Sequence, residues 1–162
     1  GIDFHGILYP GIMLTASGPK VLEFNARFGD PETQIYLTRL ENDLVDVLNA
    51  SVDGTLDRIE LKWKPGAAVC VVMASAGYPA SSTKGNMISG LEDAAQLPNT
   101  KVFHAGTALR DGKIVTNGGR VLGVTSWAED LARAREAAYA AVAKIQFDGA
   151  QFRRDIGAKA LR

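Results

Sequence analysis

Polar and apolar positions alternate strictly through residues 20–28: Leu22, Phe24 and Ala26 fall on one side, Glu23, Asn25 and Arg27 on the other. Period-two alternation predicts a half-buried strand. The preceding stretch, residues 7–15, is apolar and extended, within strand-like sequence that starts at Ile2. Ser17-Gly18-Pro19 separates the two runs as a turn, so they read as the arms of a hairpin. Gly29-Asp30-Pro31-Glu32 then reads as a helix start: Asp30 as cap, Pro31 at the first helical position, Glu32 favoured by the positive helix end. That helix is predicted to reach about Leu40. A second begins near Asp43, carries Leu44, Val47, Leu48 and Val52 at helical spacing, and stops at Gly54.

Beyond Gly54 the texture changes. Ile59, Leu61 and Trp63 alternate with Glu60, Lys62 and Lys64, and Pro65-Gly66 turns the chain. Residues 67–74 (AAVCVVMA) are continuously apolar and predict a strand buried on both faces, followed by a polar loop over residues 77–86. Residues 101–109 and 113–116 flank Arg110-Asp111-Gly112, a strong hairpin signal. Asn117-Gly118-Gly119 makes a further turn before a strand at residues 120–125. Ser126-Trp127-Ala128-Glu129 has capping-box spacing and is expected to open the longest helix, to about Ile145, with Leu131, Ala134, Ala138, Val142 and Ile145 inward. The pattern is α+β. It divides near residues 54–56, a strand–helix piece at 1–55 followed by a mostly antiparallel β module with a long helix at 56–162. No internal repeat is visible.

Composition narrows the function classes. The 162 residues hold 18 Lys plus Arg and 18 Asp plus Glu, a net charge of zero, which argues against nucleic-acid or membrane-surface binding. Hydrophobic residues at 46% suit a globular chain, and no apolar run approaches the roughly 18 residues of a membrane span. One cysteine excludes an internal disulfide framework and a multi-cysteine metal site. The chain opens at Gly1 directly into strand-like sequence, without initiator Met or signal core, and reads as a piece of a longer chain.

The polar face Glu23-x-Asn25-x-Arg27 carries the candidate chemistry. Side chains two apart on a strand stand in a row, bringing a carboxylate, an amide and a guanidinium into one space. Glu23 and Asn25 offer hard oxygen ligands suited to Mg²⁺, and Arg27 beside them could hold a carboxylate or phosphate. From the spacing alone a solvated strand face is the better reading, because E-x-N-x-R is short and undemanding. His5 and His104 have no metal partner in view and read as structural, and Cys70 reads as a small buried hydrophobe. Gly118-Gly119-Arg120 fits a turn or a phosphate approach, while Arg153 and Arg154 next to Asp155 suggest local ion pairing.

Residues 20–34, KVLEFNARFGDPETQ, resemble the signature of the phosphoribosylamine–glycine ligases (glycinamide ribonucleotide synthetases), ATP-grasp enzymes of purine biosynthesis. The resemblance continues in order through residues 6–15, 68–72, 76–79, 102–107, 116–122 and 153–157, nearly the whole chain. It implies the last stretch of an ATP-grasp domain followed by the family's C-terminal domain. The nucleotide-binding half would lie upstream of Gly1, so this piece alone is expected to be inactive and to pack on that part of its own chain. The implied parent reaction, in the cytoplasm, joins glycine to phosphoribosylamine with ATP going to ADP and phosphate through an acyl phosphate. Glu23 and Asn25 match the family's Mg²⁺ or Mn²⁺ positions, and Arg27 matches an arginine near the acceptor. Asp30 either faces an ammonium such as glycine's or caps the helix. A non-catalytic accessory module and another carboxylate–amine ligase are the alternatives. Many ATP-grasp enzymes have a further acidic ligand on the preceding strand, and residues 8–13 contain none.

Overall fold

The computed structural model describes Gly1 and residues 3–161, so the expectation at Ile2 lies outside the described residues. The chain forms two compact units, Gly1–Lys64 and Pro65–Arg162. The change of texture near residues 54–56 thus falls inside the first unit. Residues 59–64 do not form a strand there. They run back along the end of the first helix through Glu41 N–H to Lys62 O, Lys64 N–H to Arg39 O, and a single bridge between Leu40 and Trp63.

The first unit begins with a hairpin of β1 (Tyr9–Thr15) and β2 (Gly18–Asn25), antiparallel as expected. The strand starts at Tyr9, later than the apolar run suggested, because Asn25 is the last residue of β2 available to pair with it. The register slips once. Gly11 faces Glu23 and Ile12 faces Val21, leaving Leu22 as the extra residue of a β-bulge. Alternation therefore changes phase at Leu22: Val21, not Leu22, shares the Phe24 side, together with Pro10, Ile12 and Leu14 of β1. Neither side of the hairpin is half-buried. Leu22 and Phe24 are each 66% exposed, and Leu14 is 83% exposed.

Two helices follow, α1 (Glu32–Arg39) and α2 (Leu44–Val52). Asp43 caps α2, accepting from Val45 N–H at 2.8 Å, and Gly54 ends that segment with φ +67°. Asp30 does not cap α1. Pro31 occupies the cap position behind a cis peptide, and the amide of Thr33 bonds instead to the Gly29 carbonyl.

The second unit is built on β3 (Ala67–Ala74), α3 (Leu91–Ala95), β4 (Thr100–His104), β5 (Thr107–Arg110), β6 (Lys113–Thr116), β7 (Arg120–Ala128) and α4 (Leu131–Val142). Its main sheet has the order β3-β7-β4, all antiparallel, with β5 and β6 as a separate hairpin. The strand expected at residues 101–109 is cut at Gly106, giving β4 and β5. A Cβ there would sit 2.6 Å from Arg120 O and 2.7 Å from Gly118 Cα, so the backbones touch and the chain bends from one sheet to the other. Asp111 and Gly112 supply the positive φ angles of the tight turn that the Asp-Gly pair predicts.

β7 is the central strand, and it extends through Ser126, Trp127 and Ala128 where a helix cap was expected. Ser126 is fully buried and its hydroxyl bonds Thr100 Oγ1 at 2.8 Å, while Asp130 caps α4 by accepting from Arg133 N–H at 2.8 Å. Ala134, Ala138 and Val142 face inward as the periodicity predicts, onto Val71, Met73, Val121 and Val124. Ile145 joins the same core from beyond the helix. Fully burying each valine contributes about 1.5–3 kcal/mol, which makes this layer the main source of cohesion in the unit.

Candidate functional site

The β1–β2 register decides which side chains share a face. Tyr9 pairs with Asn25 and Gly11 with Glu23, so these four positions lie on one side, away from Pro10 and Phe24. Gly11 matters because it has no side chain. A Cβ there would meet Glu23 Cγ at 3.2 Å, so the Glu23 stem lies across the space that glycine leaves. Glu23 is exposed, whereas Asn25 is half-buried. The Asn25 amide nitrogen donates to the Tyr9 carbonyl at 3.4 Å, which turns its Oδ1 the other way as the atom left to act as a ligand.

The next segment closes around the same end. The ionisation of Tyr9 is pushed up by burial first, then by the neighbouring Glu32, Tyr36 and Glu23. Gly29 is buried here because a Cβ would collide with Glu32 Oε2 and Tyr9 Cε1. Phe28 and Tyr36 pack ring to ring at 6.4 Å beneath the turn. Gln34 Nε2 donates to Asp30 Oδ1 at 3.0 Å.

Of the sequence-predicted residues, the structure brings Glu23 and Asn25 onto one face. Arg27 does not continue their row. β2 ends at Asn25, residues 26–27 form a bend, and Arg27 Nη1 bonds the neighbouring Phe28 carbonyl at 3.0 Å. The ladder ends there, with Tyr9 and Asn25 as its last pair. Asp30 sits in the turn with its carboxylate engaged by Gln34. Tyr9, Gly11 and Glu32 were missed. Only the register reveals the first two, although the Tyr-Pro-Gly run was a signal that β1 keeps one site-side position empty.

The donor set fits a hard divalent cation. A carboxylate and an amide oxygen on adjacent same-face positions are the ligand chemistry of Mg²⁺ or Mn²⁺ sites that take their other ligands from water and phosphate. Elsewhere the candidates are structural. His5 bonds Ser51 O at 2.9 Å through Nδ1 and stands 3.3 Å from Asp3 through Nε2, and His104 bonds Thr107 Oγ1 at 3.0 Å. Cys70 is buried and in no disulfide.

Residues 68–159 match the family description "Phosphoribosylglycinamide synthetase, C domain", and residues 1–33 match "Phosphoribosylglycinamide synthetase, ATP-grasp (A) domain". The chain belongs to the phosphoribosylglycinamide synthetase family. It is 55% identical over 159 residues to a phosphoribosylamine–glycine ligase of Rhodopirellula baltica, covering 98% of this chain and 36% of the relative. It is 53% identical to the trifunctional purine biosynthetic protein adenosine-3 of Gallus gallus, covering 99% of this chain and 16% of that protein. Among solved structures, the phosphoribosylamine–glycine ligase of Thermotoga maritima superposes with a TM-score of 0.74 at 39% identity, covering 91% of this chain and 36% of that one. The chain therefore spans little more than a third of the length of the single-function relatives it matches, and family membership attaches the site face to an ATP-grasp framework.

Proposed function

We propose that this chain is the C-terminal part of a ligase that joins glycine to 5-phosphoribosylamine, converting ATP to ADP and phosphate through glycyl phosphate, in purine biosynthesis in the cytoplasm. The observation that carries the reading is the hairpin register, which sets Glu23 beside Asn25 over Gly11 in a segment matching the ATP-grasp domain. We assign the first unit to the end of that domain and the second to the family's C domain.

Glu23 and the Oδ1 of Asn25 hold Mg²⁺ or Mn²⁺ in this reading, and the bound cation supplies charge to offset that developing on the transferred phosphoryl group. The Tyr9 carbonyl fixes the orientation of the Asn25 amide, and empty space at Gly11 lets the Glu23 stem lie flat. In the same reading Arg27 orients glycine or the acyl phosphate, and Asp30 meets the glycine ammonium. The apolar side of the hairpin packs on the upstream part of the same chain. Ile12 at 52% and Phe24 at 66% exposure support that assignment, since a two-stranded ribbon is marginal alone.

The test is Glu23→Gln in the intact parent enzyme. Removing the charge while keeping the size is expected to lower turnover about 100-fold, about 2.7 kcal/mol of transition-state stabilisation. Thermal melting should be unchanged, because Glu23 is exposed. A well-folded variant with near-normal turnover would mean that Glu23 lies on a merely solvated face.

A further inference from the structure

Helix α2 ends without a cation of its own. Its last turn carries no basic residue, and Asp53 stands at the cap, where the partial negative charge of a helix end disfavours a carboxylate. The closing backbone bonds run from Asp53 N–H to Asn49 O at 2.8 Å and from Thr55 N–H to Ala50 O at 2.9 Å. The next carbonyl is met from far away in sequence: His5 Nδ1, 46 residues upstream, lies 2.9 Å from Ser51 O. An imidazolium there takes the place that Lys or Arg commonly fills at a helix C-terminus.

The second ring nitrogen fixes the charge. His5 Nε2 lies 3.3 Å from Asp3 Oδ2. A carbonyl and a carboxylate only accept, and a neutral imidazole has one N–H, so both contacts hold together only when the ring is protonated. The Ser51 carbonyl first, then Asp3, hold the His5 pKa above its ordinary 6.5, against a smaller opposing effect of desolvation. Asp43, Asp46 and Asp53, the charged groups on and beside α2, add nothing to that shift. Residues 3–7 form no helix or strand. Among the described residues, the His5–Ser51 bond is the hydrogen bond that ties them to another element. The segment then runs into β1, which carries Tyr9 and Gly11 on the site face.

We propose that His5 is a pH-released latch: protonated, it fastens the segment leading into β1 to the C-terminal end of α2, and neutral, it lets that segment go. Because both contacts raise the His5 pKa, the hold is fully present below pH 6.5 and is lost as pH rises through the higher folded value. The His5 side chain is 43% exposed and that of Asp3 93%, so the hold is modest and weakens with salt. The latch rests on hydrogen-bond chemistry and stands whether or not the ligase reading does.

The test is hydrogen exchange of the intact parent enzyme, read by mass spectrometry over residues 3–8 and 49–55 from about pH 5 to pH 8. Comparing wild type with His5→Gln at each pH cancels the intrinsic pH dependence of exchange. Wild type should be about threefold better protected than His5→Gln at the acid end, with the difference gone at the alkaline end. The His5 ring signal, assigned by its loss in His5→Gln, should titrate above 6.5, and Asp3→Asn should lower its midpoint toward that value. His5→Arg keeps charge and donors at every pH and should stay protected across the range. If His5→Gln does not fold, Asp3→Asn and His5→Arg decide. A His5 midpoint at or below 6.5, equal exchange of wild type and His5→Gln at all pH values, or loss of protection in His5→Arg at the alkaline end would each overturn the proposal.

Discussion

Gly11→Ala in the intact parent enzyme probes the site face through geometry alone. The added methyl meets Glu23 Cγ at 3.2 Å, a separation that forces the neighbour to give by a few tenths of an ångström. Glu23 is exposed and gives way more easily than the paired backbone. Folding should hold or improve, because replacing glycine at an ordinary φ removes about 0.4–1 kcal/mol of unfolded-chain freedom. Under the proposed function, the displaced Glu23 carboxylate would then be a poorer ligand for Mg²⁺, which tolerates little departure from its preferred geometry. Misplacement by about 1 Å is worth about 100-fold in rate, so a few tenths corresponds to a several-fold effect. The expected outcome is a three- to tenfold rise in the Mg²⁺ concentration for half-maximal rate, on the same scale, with the glycine KM unchanged. Steady-state kinetics with Mg²⁺ and glycine varied separately, alongside thermal melts, measures both. A folded Gly11→Ala variant with wild-type Mg²⁺ dependence would refute the claim that the Glu23 stem over Gly11 aims a metal ligand.

Three further outcomes concern the second unit. Gly106→Ala forces backbone against backbone at 2.6–2.7 Å and should lower stability by about 1–3 kcal/mol, read as a reduced urea midpoint at constant slope. Asp130→Ala removes the observed α4 cap and should destabilise the same unit by about 1 kcal/mol; an unchanged melt would mean that the Asp130 bond to Arg133 N–H contributes nothing to the helix. Hydrogen bonding from Arg153 holds the Asp155 carboxyl below its ordinary value of 3.8, so its contribution is present above that pH and lost as pH falls through the depressed folded value. An NMR titration should show that low midpoint, and Arg153→Gln should return it toward 3.8.

That Glu23 and Asn25 share a face was legible because their spacing survives the structure: Tyr9, Pro10 and Gly11 pair in phase with Asn25, Phe24 and Glu23. Arg27 obeyed the same sequence rule and failed it, because alternation persists in a sequence after the partner strand has ended. A bulge is equally invisible to periodicity. Val21 and Leu22 are both apolar, so the chain can assign either one to the Phe24 side, and only pairing with Ile12 selects Val21. At Ser126 the capping box lost to depth. A hydroxyl that could cap a helix instead bonds Thr100 inside the sheet, because burial along β7 runs unbroken from Val121 to Ser126.

The clearest contrast lies in what the apolar pattern meant in each unit. In residues 67–74 a continuous apolar run predicted burial on both faces, and β7 with α4 supplies it: Val71 is 0% exposed and Met73 1%. In the hairpin an equally apolar side, Pro10, Ile12, Leu14, Val21 and Phe24, meets no core of its own unit. Hydrophobic patterning reports the environment for which a sequence is selected, and both units carry that record faithfully. For the second unit that environment is its own fold. For the hairpin we assign it to the upstream part of the parent chain, an assignment that makes the site side its functional opposite. The same ribbon then buries one face to fix its position and keeps Glu23, Asn25 and the gap at Gly11 on the other. A change on the apolar side, such as Phe24→Ser, should in the parent loosen packing and site together, whereas Glu23→Gln should touch turnover alone.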